Sequence, residues 1–195
     1  MNKNWTEVKP PWRYDEKSYV SKVYPNHEKD NAFLFGLIKD NAKKNLVSQA
    51  MQTKYQSRLD NKNIKELSNL ISWIESVLPD AVDEFNRSSG SITDRRDYEV
   101  SQYWGMYYLK DGGVVQHNHF PFPLACSYYI NAPEGSSFNL EDQEIPVESG
   151  DLIVFRGNSY HAVKPSVEGR CMIACNIIYN PKIPRSGFKK INKGF

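Results

Sequence analysis

The chain has 195 residues, of which 39% are hydrophobic and 25% charged, with a formal net charge of +2. These values fit a globular domain with a developed core and exclude a disordered or membrane-spanning chain. The near-neutral balance gives no reason to expect nucleic acid or a membrane surface as partner.

Residues 1–5 hold no hydrophobic signal region, and the apolar run 32–38 is far too short to cross a bilayer, so a cytosolic protein is expected. Residues 1–26 read as extended backbone, punctuated by Pro10-Pro11-Trp12 and Tyr24-Pro25. Residues 29–58 carry an apolar cluster followed by Lys, Asn, Gln and Ala, which predicts one helix or two short ones. The clearest helix is 63–78. Ile64, Leu67, Ile71, Ile74 and Leu78 repeat along one stripe, widened by Leu70 and Val77. Asn63 is its predicted N-cap, and Pro79 marks its end or a new first turn.

From about residue 97 the character changes to short aromatic and β-branched runs separated by turn residues. Strands are predicted over 98–109, 114–117, 125–131, 136–140, 151–155 and 170–179, with Lys110-Asp111-Gly112-Gly113 as a tight turn. Many short strands point to a sandwich, barrel or jelly roll. The expected architecture is one α+β domain over 1–195: mostly helical support in 1–96, a β core in 97–180, and a basic tail in 181–195. That tail (Lys182, Arg185, Lys189, Lys190, Lys193) reads as solvated. The three cysteines show no CxxC spacing and are read as buried thiols in a reducing compartment; Cys171 and Cys175 share a strand, poor geometry for a mutual bond.

Three of the chain's four histidines fall in two short segments, His117-Asn118-His119 and Tyr160-His161. Residues two apart in a strand face the same way, so His117 and His119 would aim both rings into one cavity. His161 is the natural third ligand for a metal held on one face, leaving other positions open. The competing reading is surface or hydrogen-bonded core histidines, which suits a lone histidine better than this cluster.

The order His117-Asn118-His119, Tyr128-Tyr129-Ile130, Gly150-Asp151-Leu152-Ile153-Val154-Phe155, His161-Ala162-Val163 and Arg170 resembles the Fe(II)- and 2-oxoglutarate-dependent oxygenases. The likeness covers roughly residues 98–180 and lies nearest the prolyl-hydroxylase-like branch, in particular bacterial and phage members with an H-x-H motif. It implies a double-stranded β-helix (a jelly roll, cupin-like) that binds Fe(II), 2-oxoglutarate and O2. The implied activity is a hydroxylase releasing succinate and CO2, in the cytoplasm of a bacterium or a phage-infected host.

By this resemblance His117 and His161 match the family histidines. His119 stands where most members place Asp or Glu. It is read as the third ligand; a water or a nearby acid such as Glu141 is the alternative. Three imidazoles should make the centre more Lewis acidic and open to other divalent ions, since three histidines are also a zinc set. Arg170 matches the arginine that grips the far carboxylate of 2-oxoglutarate with a planar, always-charged fork. If Arg170 faces the cavity, alternation sends Met172, Ala174 and Asn176 inward and packs Cys171, Ile173 and Cys175 against helices. The same rule turns Ala125, Ser127 and Tyr129 inward. Tyr129 and Tyr107 match aromatic residues of the co-substrate pocket, while Met172 replaces a serine that many relatives carry. Phe120 and Phe122 would rim the entrance and touch substrate, an unknown small molecule, peptide or protein side chain. Two other readings remain open: a three-histidine cupin-type dioxygenase needing no 2-oxoglutarate, and a non-catalytic metal-binding jelly roll.

Overall fold

The computed structural model describes residues 18–44, 50–53, 63–89, 98–166 and 168–180. In chain order the strands are β1 (Tyr19–Val23), β2 (Ala42–Lys44), β3 (Met51–Thr53), β4 (Tyr98–Tyr107), β5 (Gly112–His117), β6 (Leu124–Asn131), β7 (Ser137–Leu140), β8 (Gln143–Pro146), β9 (Asp151–Arg156), β10 (His161–Ser166) and β11 (Cys171–Tyr179). Two helices are described, α1 (His27–Asn41) and α2 (Lys65–Ser89).

A major sheet runs β1-β9-β6-β11-β4-β3-β2, and a minor sheet runs β5-β10-β7-β8. From β4 onward the chain crosses repeatedly between them: β4, β6, β9 and β11 belong to the major sheet, the strands between to the minor one. All the pairings are antiparallel, and this winding is a jelly roll, the double-stranded β-helix expected from the sequence.

Strand β11 divides two cores, because alternation sends its side chains to opposite faces. Cys171, Ile173, Cys175 and Ile177 pack in a cluster with both helices, whereas Met172 and Ala174 join Ala125, Tyr129, Phe138, Phe155 and Val163 between the sheets. The helices thus cover one face of the major sheet, and the inter-sheet space is left for chemistry. Helix α2 buries Leu67, Leu70, Ile71, Ile74, Leu78, Ala81, Val82 and Phe85. Helix α1 is tied to β6 by polar contacts: Asn31 Nδ2 donates to the Ile130 carbonyl at 2.9 Å, and the Tyr128 hydroxyl donates to Asn31 Oδ1 at 2.6 Å.

Three expectations need correction. The helical signal over 29–58 ends at Asn41, and β2 and β3 follow it, while 45–49 and 54–58 lie outside the described residues. Sheet pairing prevails there over helix propensity: β3 pairs with β4, and Thr53 Oγ1 accepts the Gly105 N–H at 2.9 Å. Residues 1–96 are therefore more than helical support, since β1 and β2 form both edges of the major sheet. Helix α2 begins past Asn63, with the Ile64 carbonyl accepting the Ser68 N–H, and continues through Pro79 to Ser89. The buried stripe persists beyond the proline in Ala81, Val82 and Phe85, and that burial offsets the lost hydrogen bond. Strands β8 and β10 carry no clear apolar alternation and went unpredicted. The basic tail and Pro10-Pro11-Trp12 lie outside the described residues.

A proline inside a helix costs about 3 kcal/mol in the missing N–H and ring crowding. Pro79→Ala is therefore expected to raise stability by up to about 3 kcal/mol, seen as a higher urea midpoint at unchanged slope. A lower midpoint would show that the proline itself is needed to fit α2 to the sheet.

Candidate metal centre and anion pocket

The pairing of β10 with β5 sets His161 directly opposite His117. Their ring centroids are 4.2 Å apart, and His161 stacks on His119 at 4.9 Å with 10° between planes. One nitrogen from each of the three rings lies within 4.8 Å of the others, and His119 Nε2 is 3.2 Å from His161 Nε2. Glu141 is outside this cluster: its N–H donates to the Tyr160 carbonyl in the β7–β8 turn.

The rings sit among aromatic walls. Phe155 and Phe138 lie 4.7 and 5.5 Å from His161, and Trp104 lies 5.9 Å from His119. Burial, followed by repulsion from His117, pushes the His119 pKa down to about 4 and that of His161 down to about 3. Both are therefore neutral at pH 7, the state in which an imidazole offers a lone pair to a cation.

His119 lies past the end of β5, so the sheet does not hold it. Its segment is clamped by Gly157 instead. The Gly157 carbonyl accepts the His119 N–H at 2.7 Å, and the Gly157 N–H donates to the Pro123 carbonyl at 3.0 Å. A Cβ at Gly157 would stand 1.9 Å from the Phe122 carbonyl oxygen, which backbone cannot tolerate.

A cavity of about 270 Å³ opens beside the histidines, walled by Trp104, Met106, Tyr108, Phe138, Met172 and Ala174 among others. One layer behind this wall is Arg170, 1% exposed. Its guanidinium lies 5.5 Å from the ring of Tyr108 and 5.3 Å from that of Tyr129. Nη1 donates to the Ser137 carbonyl at 2.8 Å, but Nε, Nη2 and the Tyr129 hydroxyl are buried without partners. A buried cation with unmet donors is costly, and an anion meeting it is the usual remedy. Burial pushes the Tyr129 hydroxyl up to about 12, so it stays protonated and can donate.

The structure brings His117, His119, His161, Arg170 and Tyr129 to the inter-sheet space but separates Tyr107 from them. Tyr107 packs in the helix-side core, 5.8 Å from Phe35. The inward series on β4 is Trp104 and Met106, continued by Tyr108, so the pocket phenol is the next residue along. Gly105 shows the register in the structure: a Cβ there would meet Ile38 of α1, so this position, like Tyr107, faces the helices. The Tyr108 hydroxyl donates to the sulfur of Met172, the residue that stands in place of the serine of many relatives, at 3.7 Å. Phe120 is exposed and Phe122 half-buried, and neither lines the cavity wall.

No protein-family model matches the chain. A PKHD-type hydroxylase from Pseudoalteromonas atlantica is 25% identical over 146 residues, covering 63% of this chain and 59% of the relative. The chain therefore spans about three fifths of that relative's length. A prolyl hydroxylase from Trichoplax adhaerens, solved with a hypoxia inducible factor peptide fragment, superposes with a TM-score of 0.59 at 13% identity, over 86% of each chain. The viral collagen prolyl hydroxylase of Paramecium bursaria Chlorella virus-1, in its 2-oxoglutarate complex, gives 0.56 at 14% identity over 84% of this chain and 97% of that one. The fold is thus that of the 2-oxoglutarate–Fe(II) oxygenases. Within that fold, the resemblance is to the prolyl-hydroxylase-like branch.

Two outcomes are expected. An unfolded histidine titrates near 6.5, above the folded values of about 4 and about 3 for His119 and His161. Between these limits the unfolded chain binds protons that the folded chain refuses, so stability increases with pH there. The contribution is complete above pH 6.5 and is lost as pH falls toward the folded values. Metal-free protein should show a lower urea midpoint at pH 5 than at pH 7, and equal midpoints would contradict the buried neutral rings. Gly157→Ala should displace the His119 segment and lower divalent-metal affinity at least about tenfold, by the scale of disrupted ligand support, as read by competition with a chromophoric chelator.

Proposed function

We propose that the protein is a 2-oxoglutarate-dependent Fe(II) dioxygenase that hydroxylates a C–H bond while converting the keto acid to succinate and CO2. The observation that carries this is the buried guanidinium of Arg170, two of whose donor nitrogens lack partners, in the same inter-sheet space as a three-imidazole cluster. The residues fit both groups: His117, His119 and His161 would hold the ion, and Arg170 with the Tyr129 hydroxyl would meet a carboxylate. Bound together, Fe(II) and 2-oxoglutarate would activate O2, the oxidant, one oxygen atom going to succinate and the other to the hydroxylated product.

The chain's own contribution is placement and exclusion of water. Arg170 is fixed in direction by the Ser137 carbonyl and by two tyrosine faces, so its free donors need little reorganisation to receive an anion. Trp104, Phe138, Met106 and Met172 give the cavity an apolar wall, which restricts water around a reactive centre. Val115, which lines the cavity, is exposed, and two further exposed apolar side chains, Phe120 and Tyr160, directly follow His119 and precede His161 in the chain. These exposed apolar groups suit a peptide or protein side chain as substrate, and the peptide-bound prolyl hydroxylase neighbour supports the same class. Among the described residues no helix is long and apolar enough to cross a membrane, and three buried free thiols support a cytoplasmic setting.

The all-histidine set favours a second reading, a dioxygenase that works without 2-oxoglutarate. It leaves Arg170 without an anion. Oxygen uptake coupled to succinate would select the first reading, and uptake without 2-oxoglutarate the second.

Adding Fe(II) and 2-oxoglutarate without oxygen should give the visible charge-transfer band of a chelated keto acid. Arg170→Ala should weaken 2-oxoglutarate binding by about 100-fold or more, the scale for truncating a buried charge pair, with metal affinity unchanged. Unaltered 2-oxoglutarate affinity in that variant refutes the assignment. His119→Asp should keep iron binding.

A further inference from the structure

Two of the three imidazoles are oriented by one local device. His117 Nδ1 donates to the Val115 carbonyl at 2.9 Å and His161 Nδ1 to the Ser159 carbonyl at 3.3 Å. Each bond keeps the proton on Nδ1 and leaves the Nε2 lone pair for the shared point. Among the described residues no backbone carbonyl does this for the His119 ring, whose segment has already left the sheet. The need is created by the histidine itself. A carboxylate there would offer two equivalent oxygens, whereas an imidazole must carry its proton on one particular nitrogen.

The polar side chain beside that ring is Asn176. It lies on the inner face of β11, one inward position beyond Ala174, which lines the cavity. Its Nδ2 donates to Oε1 of Gln102, its register partner on β4, at 2.9 Å. That bond decides which way the amide faces. Its Oδ1 is buried and makes no completed hydrogen bond. A buried carbonyl oxygen left open is costly, and the His119 N–H is the donor at hand.

We propose that Asn176 is a positioning residue for the metal centre: its Oδ1, aimed by Gln102, accepts the N–H of His119 and so presents His119 Nε2 to the ion. The relay Gln102–Asn176–His119 supplies from a neighbouring strand what Val115 and Ser159 supply from the chain itself. The inference rests on the metal site of the proposed function and on no step of its reaction.

The test is proton NMR of the full chain loaded with Co(II), where ring N–H protons of metal-bound histidines appear as widely shifted signals that disappear in D2O. Wild-type protein should give three such signals. Asn176→Leu should lose one through solvent exchange and lower Co(II) affinity about 10–100-fold. Asn176→Asp, whose oxygen can accept the same N–H, should restore both. Gln102→Leu, at an exposed position, should speed exchange of that one signal and leave the other two alone. Three unchanged signals in both leucine variants would overturn the proposal, as would an aspartate variant no better than the leucine one. Wild-type protein that gives no shifted N–H signal would instead remove the metal centre, and the proposed function with it.

Discussion

Everything at the site depends on the register between β5 and β10, which places His117 against His161. Side chains alternate across a strand, so a slip of one residue would carry one ring to the outer face of the minor sheet. The register is not left to these two strands alone. β10 also pairs with β7, His161 against Leu140, and Leu140 is fully buried between the sheets. The apolar core thereby fixes the alignment of groups that have no apolar reason to meet. The metal-binding geometry is inherited from packing.

Arg170 inherits its place in a similar way. It directly precedes β11, whose two faces are buried in two different cores, so the strand cannot rotate or shift without emptying both. Its carbonyl accepts the Tyr108 N–H at 2.9 Å, tying the arginine to the very residue whose ring it faces. A cation so restrained has few ways to escape its own desolvation, and its open donors describe the shape of what should meet them.

Much of this was legible in the sequence because the informative residues lie on strands with clean period-two alternation. On β11 the split between Cys171, Ile173 and Cys175 on one side and Met172, Ala174 and Asn176 on the other follows from Arg170 facing in. Where a second constraint was needed, the pattern was silent. Tyr107 and Tyr108 are chemically identical neighbours, and only the close approach of α1 to Gly105 shows which of them turns inward. Strands β2, β3, β8 and β10 form through pairing with partners distant in the chain, which local propensity does not encode. Helix α2 passes Pro79 because packing on the sheet outweighs a local penalty that reads as a stop. Asn176 could be placed on the inner face, but its role became visible only with the amide aimed by Gln102 and the His119 ring standing beyond the strand.

The absence of a carboxylate from the three-ring cluster has a consequence for how such a centre would be filled. Oxygen donors favour harder ions, and a set made wholly of imidazoles relinquishes that bias. Across the first-row series such a set holds copper and zinc more tightly than ferrous iron, so affinity alone would not select iron. Filling the centre with iron would then be a matter of supply, decided by which ions the cell leaves exchangeable when the chain folds.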